Sequence, residues 1–244
     1  MTGPDTQITV KPWVKRYPGA ESTSATLVFP HAGGAAVAYR GFGMALAAAG
    51  TDAYVMQYPQ RGDRLSHPAP PTVGDLAKDL FEAGDWAGIG SLRLFGHCMG
   101  AVVAFEFARI AERSGIAIDA VWVSASEAPS AVAAAPALPM AESEILAEMV
   151  DLGGTDEALL ADEDFVELLL MAVRADYAAF NRYACDADAR SPRTSMPSVA
   201  TATTASARTC CGAGKLTPPA PTHARCSTAG ISTSTASSRM WRSW

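Results

Sequence analysis

The sequence predicts an α/β fold with a mostly parallel sheet, and three observations support this prediction. Short runs rich in β-branched and aromatic residues alternate with segments of helical composition over residues 11–124. One such run, residues 92–95, passes through a glycine-bounded turn directly into a helical segment. Residues 140–183 then show a helical pattern without an intervening strand. This order is typical of a sheet that helices cover on both faces.

The predicted strands are short apolar runs, each bounded by a turn or loop. They are residues 11–17, 25–29, 52–57, 92–95 and 120–124. The predicted helices between them are residues 35–49, 72–83 and 101–113. The first helix is expected to end at Gly50, and Thr72 occupies the N-cap position of the second, with Asp75 three residues on. Residues 31–34 form a tight loop, and residues 58–71 form a longer one rich in proline, arginine and glycine.

Composition excludes several classes of function. The 244 residues suit one domain, and a net charge of -6 argues against a nucleic-acid partner, since phosphate binding needs a basic face. No run reaches the roughly 18 apolar residues of a membrane span, and the N-terminus lacks the features of a signal peptide. The five cysteines have no metal-ligand spacing. We therefore expect reduced thiols, no bound metal, no membrane association and a cytoplasmic location.

Composition changes sharply at about residue 190. Residues 191–244 contain no Asp or Glu, and 34 of these 54 residues are Ser, Thr, Ala or Pro. No helix or strand period is recognisable there. The predicted organisation is therefore a folded core at 1–190 followed by an atypical, disordered tail at 191–244.

We favour a frame shift over a genuine Ser/Thr/Pro-rich tail as the origin of this segment. Codons can be chosen for residues 226–235 that, read two bases later, encode Phe-Asp-Gly-Gly-His-Phe-Tyr-Leu-Asn. Codons for residues 196–204, shifted in the same way, can encode Ala-Val-Gly-Gly-Asp-Ser-Asp-His. The C-terminal part of the predicted fold is therefore missing or frameshifted in the chain as written.

Gly-His-Cys-Met-Gly at residues 96–100 matches the nucleophile elbow G-x-S-x-G, with Cys98 in the serine position. A predicted strand precedes it and a predicted helix follows it, which is the context that this motif requires. The free N–H groups of the helix favour a thiolate at Cys98. The alternative is a buried structural cysteine between two packing glycines.

Acyl transfer also requires an oxyanion hole. One donor is expected to be the backbone N–H of Met99, which follows the nucleophile. The other is expected from the loop after an early strand, and the loop at residues 31–34 makes Ala32 the candidate.

Several motifs in the correct order resemble type II thioesterases. They are Phe-Pro-His-Ala-Gly-Gly at 29–34, Gln-Tyr-Pro-Gln-Arg-Gly-Asp-Arg at 57–64, the elbow at 96–100, Phe-Glu-Phe-Ala at 105–108, and the segments 152–155 and 168–177. The resemblance implies an α/β-hydrolase fold with a helical lid at about 127–185. It implies hydrolysis of acyl groups from the phosphopantetheine arm of acyl or peptidyl carrier proteins in nonribosomal peptide, polyketide or siderophore biosynthesis. No further cofactor is implied.

The sequence departs from that family pattern twice. Most members have serine where Cys98 stands, and the triad Asp and His, expected after residue 190, are not present as written. His223 has neighbours unlike the family's and is not assigned as the base, while His67 and His97 are interpreted as a loop residue and an elbow neighbour. The alternatives are therefore an acyltransferase, an inactive remnant that binds carrier proteins, or a hydrolase of small esters or lactones.

Two further groups of residues allow two interpretations each. Arg61, Asp63 and Arg64 form either a solvated loop with a local ion pair or a contact surface for an acidic carrier protein. Apolar residues of the lid recur at helical spacing and form either helix cores or the lining of an acyl channel. They are Ile145, Leu146, Met149, Leu152, Val166, Leu169, Leu170 and Val173.

Overall fold

A computed structural model describes residues 9–20, 23–132, 134–152 and 157–184. The predictions for the tail at 191–244, including its disorder and its altered reading frame, lie outside these residues.

The described residues contain a five-stranded sheet. Its strands are β1 (Lys15–Tyr17), β2 (Ser24–Phe29), β3 (Asp52–Val55), β4 (Ser91–His97) and β5 (Ala120–Ser124), in the spatial order β1-β3-β2-β4-β5. β1 is antiparallel to β3, and the other neighbours are parallel. The predicted, mostly parallel α/β fold is therefore confirmed.

Seven α-helices accompany the sheet in the described part of the chain. They are α1 (Arg40–Ala48), α2 (Val73–Phe81), α3 (Met99–Arg113), α4 (Pro129–Val132), α5 (Glu142–Leu152), α6 (Glu157–Leu160) and α7 (Glu163–Asn181). Thr72 caps α2 as predicted, because its Oγ1 accepts the Asp75 N–H at 3.1 Å.

Alternate residues of the central strands face opposite layers of helices. On β2, Leu27 and Phe29 pack into the larger core with side chains of α2 and α3, whereas Val28 packs with the residues around α1 on the other face. All three side chains are fully buried. Burial on both faces explains why β2 is a continuous apolar run rather than an alternating one.

The strand pairing places two loops side by side. β2 and β4 are neighbours at the centre of the sheet, and Phe29 near the end of β2 pairs with Gly96. Because the two strands are parallel, the loop at residues 31–34 and the turn at Cys98 leave the sheet at the same edge.

Several predicted elements differ from the structure by one or two residues at their ends, and two differ more. The strand expected at 11–17 begins only at Lys15, because the Lys11 N–H donates to Ala83 O and residues 11–14 form a turn. The helix expected at 35–49 consists of a 3₁₀ turn at Ala36–Tyr39 followed by α1. The Ala36 N–H donates to Gln57 Oε1, so a side chain of another loop holds this first turn.

Helices α5 and α7 form a small core of their own above the sheet edge. Ile145, Leu170, Val173 and Tyr177 are buried in it, and Ala32 of the loop at 31–34 packs against it. The interpretation of the periodic lid residues as helix cores is confirmed for those whose side chains are described. Leu152 lies outside that set.

Candidate active site

Cys98 lies at the sharp turn between β4 and α3. Its backbone has φ 52° and ψ -125°, a conformation that costs a non-glycine residue about 1–3 kcal/mol. The Cys98 N–H donates to Ser124 O of β5 at 2.8 Å, which fixes the turn to the neighbouring strand. Local strain held by its surroundings is typical of a nucleophile elbow.

The two glycines of the elbow permit close packing of backbone. A Cβ on Gly96 would lie 2.4 Å from Ala101 Cα, and a Cβ on Gly100 would lie 2.1 Å from Phe29 O. Any other residue at either position would push α3 away from the sheet. These glycines therefore position Cys98 at the sheet edge, beside the end of β2.

The backbone N–H groups of Met99 and Ala32 lie near the Cys98 sulfur, and both lower the pKa of its thiol. These are the two donors that the sequence predicted for an oxyanion hole. They come from different elements, one from the start of α3 and one from the loop after β2. A carbonyl carbon attacked by the sulfur would bring its oxygen close to both donors.

Cys98 is partly accessible to solvent. The protein atoms around its sulfur nevertheless desolvate the thiol and raise its pKa above the ordinary value. The Met99 and Ala32 N–H groups oppose this shift, and the Glu148 carboxylate adds to it. The N–H group at the start of α3 thus favours the thiolate, as predicted, but desolvation outweighs it. Two backbone donors stabilise the thiolate less than desolvation destabilises it.

Two histidines lie near the elbow, and both have other hydrogen-bond partners. His31 Nδ1 lies 2.7 Å from the Tyr39 hydroxyl, and His97 Nδ1 lies 3.0 Å from Ser124 Oγ. Burial, the neighbouring His97 and Arg61 lower the pKa of His31 to about 4, and burial also lowers the pKa of His97. Both rings are therefore neutral at pH 7.

Among the described residues, no histidine nitrogen is hydrogen-bonded to the Cys98 sulfur. His67 is exposed in its loop, and His223 lies outside the described residues.

The described residues contain no group of His, Cys, Asp and Glu that could hold a metal ion. They also contain no helix with the length and apolar character needed to cross a membrane.

The lid contributes polar groups that the sequence reasoning missed. The Tyr177 hydroxyl donates to Glu148 Oε2 at 3.2 Å. Burial and the Glu148 charge raise the pKa of Tyr177, so its hydroxyl keeps its proton. Asp176, one residue earlier on α7, is 5% exposed and accepts the Gly33 N–H at 2.8 Å. An acidic residue on the apolar face that includes Val173 and Tyr177 was the available signal for it.

Neither interpretation of the loop arginines holds. Arg61 and Arg64 are 7% and 3% exposed, so they are neither solvated nor available to a carrier protein. Arg61 forms an ion pair with Asp176 of α7, and Arg64 forms one with Asp79 of α2 at 2.7 Å. Only Asp63 is exposed, and it pairs with Lys15. Their partners lie far away in the sequence, which is why the local pattern suggested a surface loop.

Comparison with known proteins agrees with this geometry. The family model for the thioesterase domain matches residues 26–234. A phenyloxazoline synthase, MbtB of Mycobacterium tuberculosis, is 59% identical over 180 residues, which cover 74% of this chain and 13% of the synthase. The thioesterase PikA5 of Streptomyces venezuelae is 38% identical over 174 residues, which cover 70% of this chain and 62% of that enzyme. The chain thus spans less than two thirds of either relative.

A solved structure shows the same relationship. The type II thioesterase BorB from the borrelidin biosynthetic cluster superimposes with a TM-score of 0.59 and 33% sequence identity, covering 72% of this chain and 73% of BorB. The resemblance predicted from the motifs is thereby confirmed, and the chain belongs to the thioesterase domain family.

Proposed function

We propose that this chain hydrolyses acyl groups from the phosphopantetheine arm of acyl or peptidyl carrier proteins in nonribosomal peptide, polyketide or siderophore biosynthesis. The observation that carries the proposal is the convergence of the Ala32 and Met99 N–H groups on the sulfur of Cys98 at a strained elbow. Membership of the thioesterase domain family and the similarity to PikA5 and BorB support it.

In the proposed first step, the Cys98 sulfur attacks the carbonyl carbon of the acyl thioester. The C=O π electrons move to oxygen, where the Ala32 and Met99 N–H groups stabilise the negative charge. The intermediate collapses by breaking the bond to the phosphopantetheine sulfur, which takes up the proton that Cys98 lost. The products are an acyl-Cys98 thioester and a free phosphopantetheine thiol, so one thioester replaces another.

In the second step, water attacks acyl-Cys98 and gives the free carboxylic acid and the Cys98 thiol. This step needs a base to remove a proton from water. Among the described residues, neither His31 nor His97 is hydrogen-bonded to the Cys98 sulfur, and no other histidine lies at the elbow. Unless residues 185–244 supply a base, we expect acyl-Cys98 to accumulate.

A second candidate function is acyl transfer to an amine. Among the described residues no histidine is bonded to the Cys98 sulfur, and this favours acyl transfer, because an amine attacks a thioester without the prior proton removal that water requires. An inactive carrier-binding protein is the third candidate and predicts no acyl-Cys98 at all. Hydrolysis of small esters or lactones is the fourth, and it predicts turnover without a carrier protein.

The test is to incubate the full chain with carrier proteins loaded with different acyl groups. A phenyloxazoline group belongs among them because of the similarity to the phenyloxazoline synthase. Release of free acid is compared with and without added amine, and with a small ester in place of the carrier. Free acid from the carrier supports the proposal, amide product supports acyl transfer, and carrier binding without turnover supports the inactive protein.

The matched variant for this test is Cys98→Ser. Without a base at the elbow, a serine hydroxyl is far harder to ionise than a thiol, so we expect acylation to slow by at least about a hundredfold. Acylation of the wild type should also rise about tenfold per pH unit from neutral pH, because the pKa of Cys98 is raised. Unchanged rate and products in Cys98→Ser would show that Cys98 is not the nucleophile.

A further inference from the structure

The loop that carries Ala32 is attached to the lid through a buried carboxylate. Asp176 Oδ2 accepts the Gly33 N–H at 2.8 Å, one residue after Ala32. Gly33 has φ +75°, and a Cβ at this position would lie 2.5 Å from Val173 Cγ2 of α7. Helix α7 therefore lies directly against the loop, and Asp176 is its polar contact there.

Arg61 holds the same loop from the other side. Its Nε donates to Gly34 O at 3.2 Å, its Nη1 donates to Pro59 O, and its Nη2 forms the ion pair with Asp176. The Tyr58 hydroxyl donates to Pro30 O at 3.0 Å, so the residue that precedes His31 is held as well. Side chains of other elements thus hold the peptide unit that follows Ala32 and the one that joins Pro30 to His31.

A buried ion pair is costly, because both charges lose their hydration, and apolar replacements of similar volume are often as stable. Asp176 and Arg61 are both less than a tenth exposed. Their charges compensate each other, so the pair can orient the loop without placing a net negative charge next to a developing oxyanion. Their contacts to Gly33 N–H and Gly34 O are directional, which an apolar pair could not reproduce.

We propose that Asp176 and Arg61 are positioning residues that direct the Ala32 N–H toward the oxyanion and thereby couple the lid helix α7 to the oxyanion hole. This inference rests on the proposed function, since it assigns the pair a part in acylation of Cys98. The pair should also protect the loop from hydrogen exchange, whether or not Cys98 becomes acylated.

The test is Asp176→Asn in the full chain, with Asp79→Asn as the matched control. Each substitution replaces the carboxylate that pairs with a buried arginine. The described hydrogen bonds of Arg64 and Asp79, however, do not reach residues 31–34. Two reactions of Cys98 are compared on the tryptic peptide 94–109: acylation by hexanoyl-pantetheine and alkylation by iodoacetamide. Acylation forms an oxyanion, whereas alkylation displaces iodide and forms none.

We expect Asp176→Asn to slow acylation about a hundredfold, the usual effect of losing one oxyanion donor, and to change alkylation by less than about threefold. Asp79→Asn should leave both rates within about threefold of the wild type. A general loss of structure would slow both reactions together, and that parallel loss, or an unchanged acylation rate, would overturn the inference. Arg61→Lys keeps the charge but loses the fork of donors, and a smaller, acylation-specific loss is expected.

Hydrogen exchange of the segment 29–36 gives a readout that does not need activity. Asp176→Asn should expose this segment to faster exchange than the wild type or Asp79→Asn. A wild-type chain that formed no acyl-Cys98 would contradict the proposed function. The exchange result would then decide the inference by itself, and equal protection in all three proteins would overturn it.

Discussion

On one side of the Cys98 sulfur, α3 is held to the sheet by backbone packed against backbone. On the other side, α7 is held to the loop after β2 by a buried ion pair as well as by apolar contacts. Gly100 brings α3 against the carbonyl groups at the end of β2. Asp176, by contrast, reaches Arg61, which is 115 residues away in the sequence. The elbow side can therefore be recognised from a local sequence motif, whereas the lid side depends on a side-chain pair that no local pattern shows.

The elbow side should not tolerate a methyl group at its closest approach. In Gly100→Ala the new Cβ would lie 2.1 Å from Phe29 O and 2.4 Å from Pro30 O. We expect a loss of at least about 3 kcal/mol in the free energy of unfolding, because backbone on both sides must move. Urea unfolding followed by circular dichroism measures it.

Gly74→Ala is the control for this prediction, because the nearest contact of its new Cβ would be Thr72 Oγ1 at 3.8 Å. In the first turn of α2 the alanine should be neutral or stabilise by up to about 1 kcal/mol. Equal stability of Gly100→Ala and Gly74→Ala would show that the elbow is not packed as described.

The protein should lose stability as the pH falls, and His31, in the loop against which the lid packs, should carry part of that loss. Its pKa lies at about 4 in the folded protein and at the ordinary 6.5 when unfolded. The unfolded chain therefore binds the proton first, so stability declines as pH falls from about 6.5 to about 4, by up to about 3 kcal/mol. His97 contributes in the same direction.

We expect His31→Asn to flatten this decline, since asparagine has no charge to gain and its side-chain oxygen can still accept the Tyr39 hydroxyl proton. Urea unfolding at several pH values measures the slope. The exposed His67 provides the control, and His67→Asn should leave the slope unchanged. A decline as steep in His31→Asn as in the wild type would contradict the lowered pKa.

Features that depend on neighbouring residues could be predicted from the sequence. The boundaries of β5 and the Thr72 cap follow from neighbouring residues, and the elbow glycines follow from a turn that leaves no room for a Cβ. Features that depend on side chains distant in the sequence could not be predicted. The burial of Arg61 and Arg64 depends on Asp176 and Asp79, and a sequence pattern does not show such pairings.

The same difference explains the errors at the site. Met99 could be named because it follows the nucleophile, and Ala32 could be named because it lies in the loop after an early strand. The raised pKa of Cys98 could not be foreseen, because desolvation and the Glu148 charge come from the packing of the lid over the elbow.

The smallest expected effect is that of the lid residue Glu148 on the pKa of Cys98. Glu148→Gln removes a negative charge that raises the pKa of Cys98, so this pKa should fall and the thiolate fraction at neutral pH should rise. The alkylation rate of Cys98 with iodoacetamide at pH 7 should therefore increase by a small factor. Glu144→Gln, an exposed position on α5, should leave the rate unchanged. A slower reaction in Glu148→Gln would contradict the assigned sign.

The central claim is that Cys98 becomes acylated, and mass spectrometry of the full chain after incubation with an acylated carrier protein tests it most directly. We predict one acyl group on the tryptic peptide 94–109, none on the peptides that contain Cys185, Cys210, Cys211 or Cys226, and none in Cys98→Ala. The absence of any acyl group on peptide 94–109, without turnover of the carrier, would contradict the account. Acyl groups spread evenly over all five cysteines would contradict it equally, because they would indicate chemical rather than enzymatic transfer.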